Sequence, residues 1–151
     1  MEQKRCYGCM RMKGRETVCP HCGFDERTQN APHQLPQGAV LRGQYLVGKV
    51  LGQGGFGITY LGWDRYLDIP VAIKEYYPTG AVMRKSLRDP SVTLCSGAER
   101  DRFQSCRDRF MREAKTLAKF SHVPEIVQVK NFFPENNTAY IVMEYVQGIT
   151  L

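Results

Sequence analysis

Cys6-Tyr7-Gly8-Cys9 and Cys19-Pro20-His21-Cys22 are two C-x-x-C pairs separated by nine residues. This spacing lets four thiolates close tetrahedrally on one Zn²⁺ and leaves no open coordination position, so the metal is expected to be structural. So short a head buries no core of its own, which makes metal the natural source of its fold. Disulfides or redox thiols are the competing reading of the same cysteines. His21 is not needed once four thiolates are in place. Cys106 falls on an apolar helical stripe and reads as a core thiol, while Cys95 has no assignable role.

Gly52-Gln53-Gly54-Gly55-Phe56-Gly57 is a G-x-G-x-x-G run. Without Cβ atoms, such a backbone brings its N–H groups close to phosphate oxygens. Dinucleotide-binding folds share the spacing but need a helix directly after the loop. Here Ile58-Thr59-Tyr60-Leu61 continues as a strand, so the run reads as a hairpin lid over phosphates. Val71-Ala72-Ile73-Lys74 follows, and the two-residue period of a strand puts Ala72 and Lys74 on one face. A flat ligand could lie over Ala72 with a phosphate at the Lys74 ammonium; a snorkelling surface lysine is the bland alternative. Glu113, three residues after Phe110 and four before Leu117, falls on a helical apolar stripe. An inward carboxylate demands a cation, and Lys74 is the candidate for an ion pair.

These residues require particular elements to hold them. Strand-like runs cover Tyr45 to Leu51, Ile58 to Trp63 and Ile69 to Glu75. Ile126 to Phe133 and Ala139 to Tyr145 flank the turn signal Pro134-Glu135-Asn136-Asn137-Thr138 and should pair as a hairpin. Phe103, Cys106, Phe110 and Leu117 recur at helical spacing, so one amphipathic helix is predicted over 100–120. The stretch 76–96, with Pro78, Gly80 and Pro90, is expected to hold a short helix or hairpin. The fold class is therefore α+β: a five-stranded antiparallel sheet with one main helix, preceded by a small zinc ribbon. The expected division is a ribbon over 1–27, a polar linker over 28–40 and the sheet-and-helix unit over 41–151.

Of 151 residues, 42% are hydrophobic and 24% charged, which excludes bulk disorder. No apolar run reaches the roughly 20 residues that cross a bilayer, and no signal peptide follows Met1, so a cytoplasmic setting is expected. The formal net charge is +6, but acids alternate with bases between Arg84 and Lys115, as on a solvated helix. That pattern argues against a nucleic-acid partner.

The glycine loop, Val-Ala-Ile-Lys, the helical Glu113 and Met143-Glu144-Tyr145-Val146, in this order, resemble the small lobe of a protein kinase. Leu51 to Tyr60 is most similar to bacterial serine/threonine kinases of the eukaryotic-like type. The resemblance implies that Gly52, Gly54 and Gly57, with Gly55 and Phe56 between them, cover the phosphates of ATP. Lys74 would hold the α and β phosphates and Glu113 would orient Lys74. Leu51 and Ala72 would sandwich the adenine, with Thr59 in its roof where the family has Val. Met143 would be the gatekeeper, and the Glu144 carbonyl and Val146 N–H would bond the adenine edge. Val123-Pro124-Glu125 departs from the usual His-Pro-Asn.

Nothing in the chain resembles the family's catalytic-loop His-Arg-Asp or its Asp-Phe-Gly. The Mg²⁺ ligands and the base are therefore expected from a missing lobe, and the 151 residues alone are expected to be inactive. The implied partners are protein substrates, with a further protein partner at the zinc ribbon. Two other readings stand beside the kinase: a pseudokinase scaffold, and a zinc-ribbon nucleic-acid binder.

Overall fold

The computed structural model describes residues 4–85, 89–120, 123 and 128–145. Ten strands and one α-helix follow in chain order. β1 (Lys4–Arg5) and β2 (Met12–Lys13) belong to the cysteine-rich head. β3 (Val40–Leu41), β4 (Tyr45–Gln53), β5 (Gly57–Asp64) and β6 (Ile69–Tyr76) form a meander. β7 (Val82–Met83) and β8 (Thr93–Leu94) make a small hairpin, the second of the two forms expected for that stretch. α1 (Arg100–Ala118), β9 (Val129–Glu135) and β10 (Thr138–Glu144) complete the order.

The main sheet is antiparallel throughout, in the order β3-β4-β5-β6-β10-β9. Five strands are present where five were expected, the fourth over Val129–Glu135 with Ile126 and Val127 outside the described residues, and the two-residue β3 adds a sixth at the edge. Val71 and Ile73 at the centre of β6 are fully buried, as β-branched residues on a packed pleat should be. The turn between β9 and β10 places Asn136 and Asn137 at φ 55° and 60°, the left-handed region that asparagine tolerates in tight hairpins.

α1 packs against β9 and β10 through Phe103, Phe110 and Ala114. The ring of Tyr76 at the end of β6 meets Phe103 at 5.3 Å and Phe110 at 5.6 Å between centroids. The helix ends at Ala118, two residues before the expected limit, and Leu117 is largely exposed. Ala114, not Glu113, is the buried residue of that turn. Adjacent helical positions lie about 100° apart, so a stripe centred on Phe103, Phe110 and Ala114 carries Glu113 to the solvent side.

Residues 30–39 are built onto the sheet, although their composition reads as a linker. Leu35 is completely buried, and its backbone N–H donates to the Tyr60 hydroxyl at 2.9 Å. The Gly38 and Val47 N–H groups bond Val47 O and Ala39 O, each at 2.8 Å. Among the described residues no helix is long and apolar enough to cross a membrane.

Candidate functional site

The glycine hairpin joins β4 to β5, and its turn closes through Gly54 N–H donating to Gly57 O at 2.9 Å. Thr59 lies directly across from Lys74, and Leu61 and Met143 both lie across from Ala72. Residues directly opposite in an antiparallel ladder share a face. One face of the sheet thus carries Thr59, Ala72, Lys74 and Met143, of which the alternation in sequence predicts Ala72 and Lys74. Gly57 sits over this lysine: a Cβ there would come within 2.9 Å of Glu75 O and 3.5 Å of Lys74 Cε. Only glycine allows so close an approach. Ala72 is buried, Lys74 is exposed, and Phe56 stands 76% exposed at the loop tip. Leu51 is at the surface of β4 and Met143 is half-buried against the core. Glu144 ends β10, where its N–H donates to Gln128 O at 3.0 Å. Val146 lies outside the described residues, as do His122, Pro124 and Glu125.

The expected ion pair between Lys74 and Glu113 is not formed. Among the described residues the ion pairs within 4.0 Å are Lys13–Glu26, Arg27–Asp25 and Arg84–Glu75. The Lys74 ammonium instead stands 6.0 Å from the centroid of the Phe110 ring, within cation–π range. Glu113 is exposed, one turn beyond Phe110. The helix rotation that buries Ala114 is the physical reason: it turns the carboxylate away from the sheet.

A buried ionic centre on the opposite face was not foreseen. Glu75 and Arg84, with side chains 0% and 2% exposed, form a direct ion pair. Glu75 also accepts from the Tyr60 hydroxyl at 2.9 Å and the Tyr140 hydroxyl at 2.6 Å. Arg84 donates further to Pro90 O at 2.7 Å and His33 O at 2.9 Å. Burial works against the Arg84 charge, but the Glu75 carboxylate outweighs it and raises its pKa above the usual value. Burial first, and then the charge of Glu75, push Tyr60 and Tyr140 well above the ordinary phenol range, so both stay protonated donors. A signal for this centre exists in the sequence: Glu75 alternates with Val71 and Ile73 and so belongs to the apolar face, where a carboxylate needs partners.

The four cysteines of the head do meet. The sulfurs of Cys6, Cys9, Cys19 and Cys22 all lie within 4.8 Å of one another. Cys6 and Cys22 are 3.6 Å apart, and Cys9 and Cys19 are 3.8 Å apart. Tetrahedral ligands 2.3 Å from zinc would be separated by about 3.8 Å, so this donor set fits Zn²⁺. Each knuckle also aims backbone donors at sulfur: Gly8 N–H at Cys6 Sγ, 3.3 Å, and His21 N–H at Cys19 Sγ, 3.4 Å. Burial pushes the Cys6 thiol up to about 12. Burial opposes ionisation of Cys19 too, but the N–H groups of Cys22 and His21 outweigh it and bring that thiol to about 6.

The head is docked on the sheet. Lys49 N–H donates to Tyr7 O at 2.9 Å, and the Arg5 guanidinium lies 3.6 Å from the centroid of the Trp63 ring. Gly48 makes this fit possible, since a Cβ there would lie 2.6 Å from Met10 Cε and 2.7 Å from Tyr7 O.

A hairpin lid of glycines above a strand lysine, with one helix across the sheet, defines the small lobe of a protein kinase. The known proteins agree. Serine/threonine-protein kinase PknG of Mycolicibacterium smegmatis is 29% identical over 99% of this chain and 18% of its own length. Serine/threonine-protein kinase PrkC of Bacillus subtilis is 32% identical over 76% of this chain and 14% of its own length. Serine/threonine-protein kinase B of Synechocystis is 28% identical over 89% of this chain and 21% of its own. A solved structure, the PpkA-294 apo form, superposes with a TM-score of 0.70 at 36% identity, covering 75% of this chain and 39% of that one. No family model matches. By sequence and fold the chain belongs with the bacterial serine/threonine protein kinases and carries their small lobe. It spans between 14% and 21% of the length of these curated relatives.

Proposed function

We propose that the chain supplies the ATP-binding lobe of a kinase that transfers the γ-phosphate of ATP to serine or threonine hydroxyls of proteins. The observation that carries this reading is the placement of Lys74 directly beneath Gly57, on the face shared with Ala72, Thr59 and Met143. In this reading the N–H groups of the glycine hairpin and the Lys74 ammonium receive the phosphates, while Leu51 and Ala72 bracket the adenine. Met143 lines the back of the adenine pocket, and the backbone of Glu144 and Val146 bonds the adenine edge. In this reading α1 would have to turn for Glu113 to reach Lys74. Mg²⁺ and the base for the substrate hydroxyl would be held by residues outside these 151. The zinc ribbon is a structural module, and a protein partner at its surface is part of the same proposal, as is a cytoplasmic setting.

The test is phosphate transfer by the natural gene product that contains this chain. Lys74→Met should abolish transfer while the thermal unfolding midpoint stays within about 2 °C, because an exposed side chain contributes little to stability. Unchanged transfer would remove Lys74 from its role. The scaffold reading finds one observation in its favour, the exposed and unpaired Glu113. It predicts no transfer from the wild-type protein.

A further inference from the structure

The polar segment before the sheet reaches the glycine hairpin itself. Gln53, inside the G-x-G-x-x-G run, offers its Oε1 to Gln34 Nε2 at 2.8 Å and to His33 Nε2 at 2.9 Å. A carboxamide oxygen can only accept, so His33 must donate from Nε2. The segment carrying these two donors is itself fastened at several points. Asn30 Nδ2 donates to Leu35 O at 2.8 Å and to Gly48 O at 3.1 Å, and Gln34 Oε1 accepts from Ala31 N–H at 2.7 Å. Leu35 is anchored in the core.

The other side of the hairpin is held as well. Tyr77 N–H donates to Phe56 O at 3.0 Å, and Thr79 N–H donates to Gly55 O at 2.9 Å. Arg84 connects the two sides: it bonds His33 O in one segment and Glu75 ahead of the other, and lies 5.5 Å from the Tyr77 ring. The His33 and Tyr77 rings meet at a tilt of 43°, with centroids 5.7 Å apart. Glycine-rich hairpins lose much entropy on ordering, because each glycine gives up more conformational freedom than any other residue. Contacts that fix such a hairpin before ligand arrives remove that cost from binding.

We propose that residues 30–35 and 77–84 form a collar that holds the glycine hairpin in its phosphate-covering shape, with His33, Gln34 and Gln53 as positioning residues for the nucleotide. The collar rests on the reading of the lobe as an ATP site only for its effect on affinity. Its effect on the hairpin exists without any ligand. None of these three side chains needs to touch the nucleotide. They act by fixing the backbone of the hairpin, whose Gly57 lies against Lys74.

The experiment uses the gene product containing this chain, with His33→Ala and Gln34→Ala combined. These side chains are half-buried and lie outside the core, so the unfolding midpoint is expected to stay within about 4 °C. Amide hydrogen exchange over 52–57 in nucleotide-free protein should accelerate about tenfold, the size expected from two partly exposed hydrogen bonds. Gln53→Leu should do the same, and Gln53→Glu, which keeps an acceptor, should retain protection. The dissociation constant for ATP should rise by a similar factor in the double variant. Unchanged exchange over 52–57 in an intact double variant overturns the collar, and so does protection lost equally in the Glu and Leu variants. A wild-type protein that protects the hairpin but binds no ATP overturns the kinase reading and leaves the collar standing.

Discussion

At the residue scale, Glu75 and Lys74 are neighbours with opposite fates. The strand sends Lys74 to the open face beneath the glycine hairpin and Glu75 to the closed face among tyrosines. A carboxylate placed there persists because Arg84, Tyr60 and Tyr140 satisfy it. Removing one partner of a buried pair leaves the other charge uncompensated and costs about 3–5 kcal/mol. Arg84→Met is therefore expected to lower stability by about that amount, read as the denaturation midpoint at constant slope. A loss under about 1 kcal/mol would mean that the pair is not buried in solution. The same reasoning that assigned a partner to Glu113 applies with more force to Glu75. For Glu113 the face that packs runs through Phe103, Phe110 and Ala114, and the carboxylate one residue before Ala114 is exposed. For Glu75 the strand period decided it outright.

At the element scale, what was legible in the sequence is what depends on local pattern. The strands β4, β5 and β6, the hairpin β9–β10 and the helix follow from periodicity and turn residues. The cysteine quartet follows from spacing. What was not legible depends on contacts distant in sequence: Leu35 under Tyr60, Arg84 on Glu75, and Gly48 against Met10. A polar stretch with two prolines gives no sign that its single leucine anchors it, so 30–39 reads as a linker. The ribbon yields a prediction of its own. Purified protein should contain one zinc per chain, and chelation should abolish amide protection over 4–27 while strands β4 to β6 keep theirs. Acid should release the metal in the same way, because thiolate ligands must give it up as they take on protons. Protection of the ribbon that survives complete metal removal would show that the docked contacts of Tyr7, Met10 and Arg5 suffice to fold it.

At the scale of the whole molecule, the ribbon packs on β4 and β5, and the segments on either side of the sheet's first three long strands hold the glycine hairpin. The ribbon rests on β4 at Gly48, the segment 30–35 reaches Gln53, and the stretch after β6 bonds the carbonyls of Gly55 and Phe56. The face with Glu75 is closed by Tyr60, Tyr140 and Arg84, while the face with Lys74 and Ala72 also carries Trp63 under Arg5 and Tyr76 under α1. The central claim, that this open face is an ATP site, is tested most directly by calorimetric titration of the gene product with ATP, wild type against Lys74→Met. Saturable binding at one site per chain that weakens at least about tenfold in the variant is the predicted result, corresponding to about 1.4 kcal/mol or more of phosphate contact. Absence of binding by a folded, zinc-loaded wild-type protein, or equal affinity in both, would contradict it.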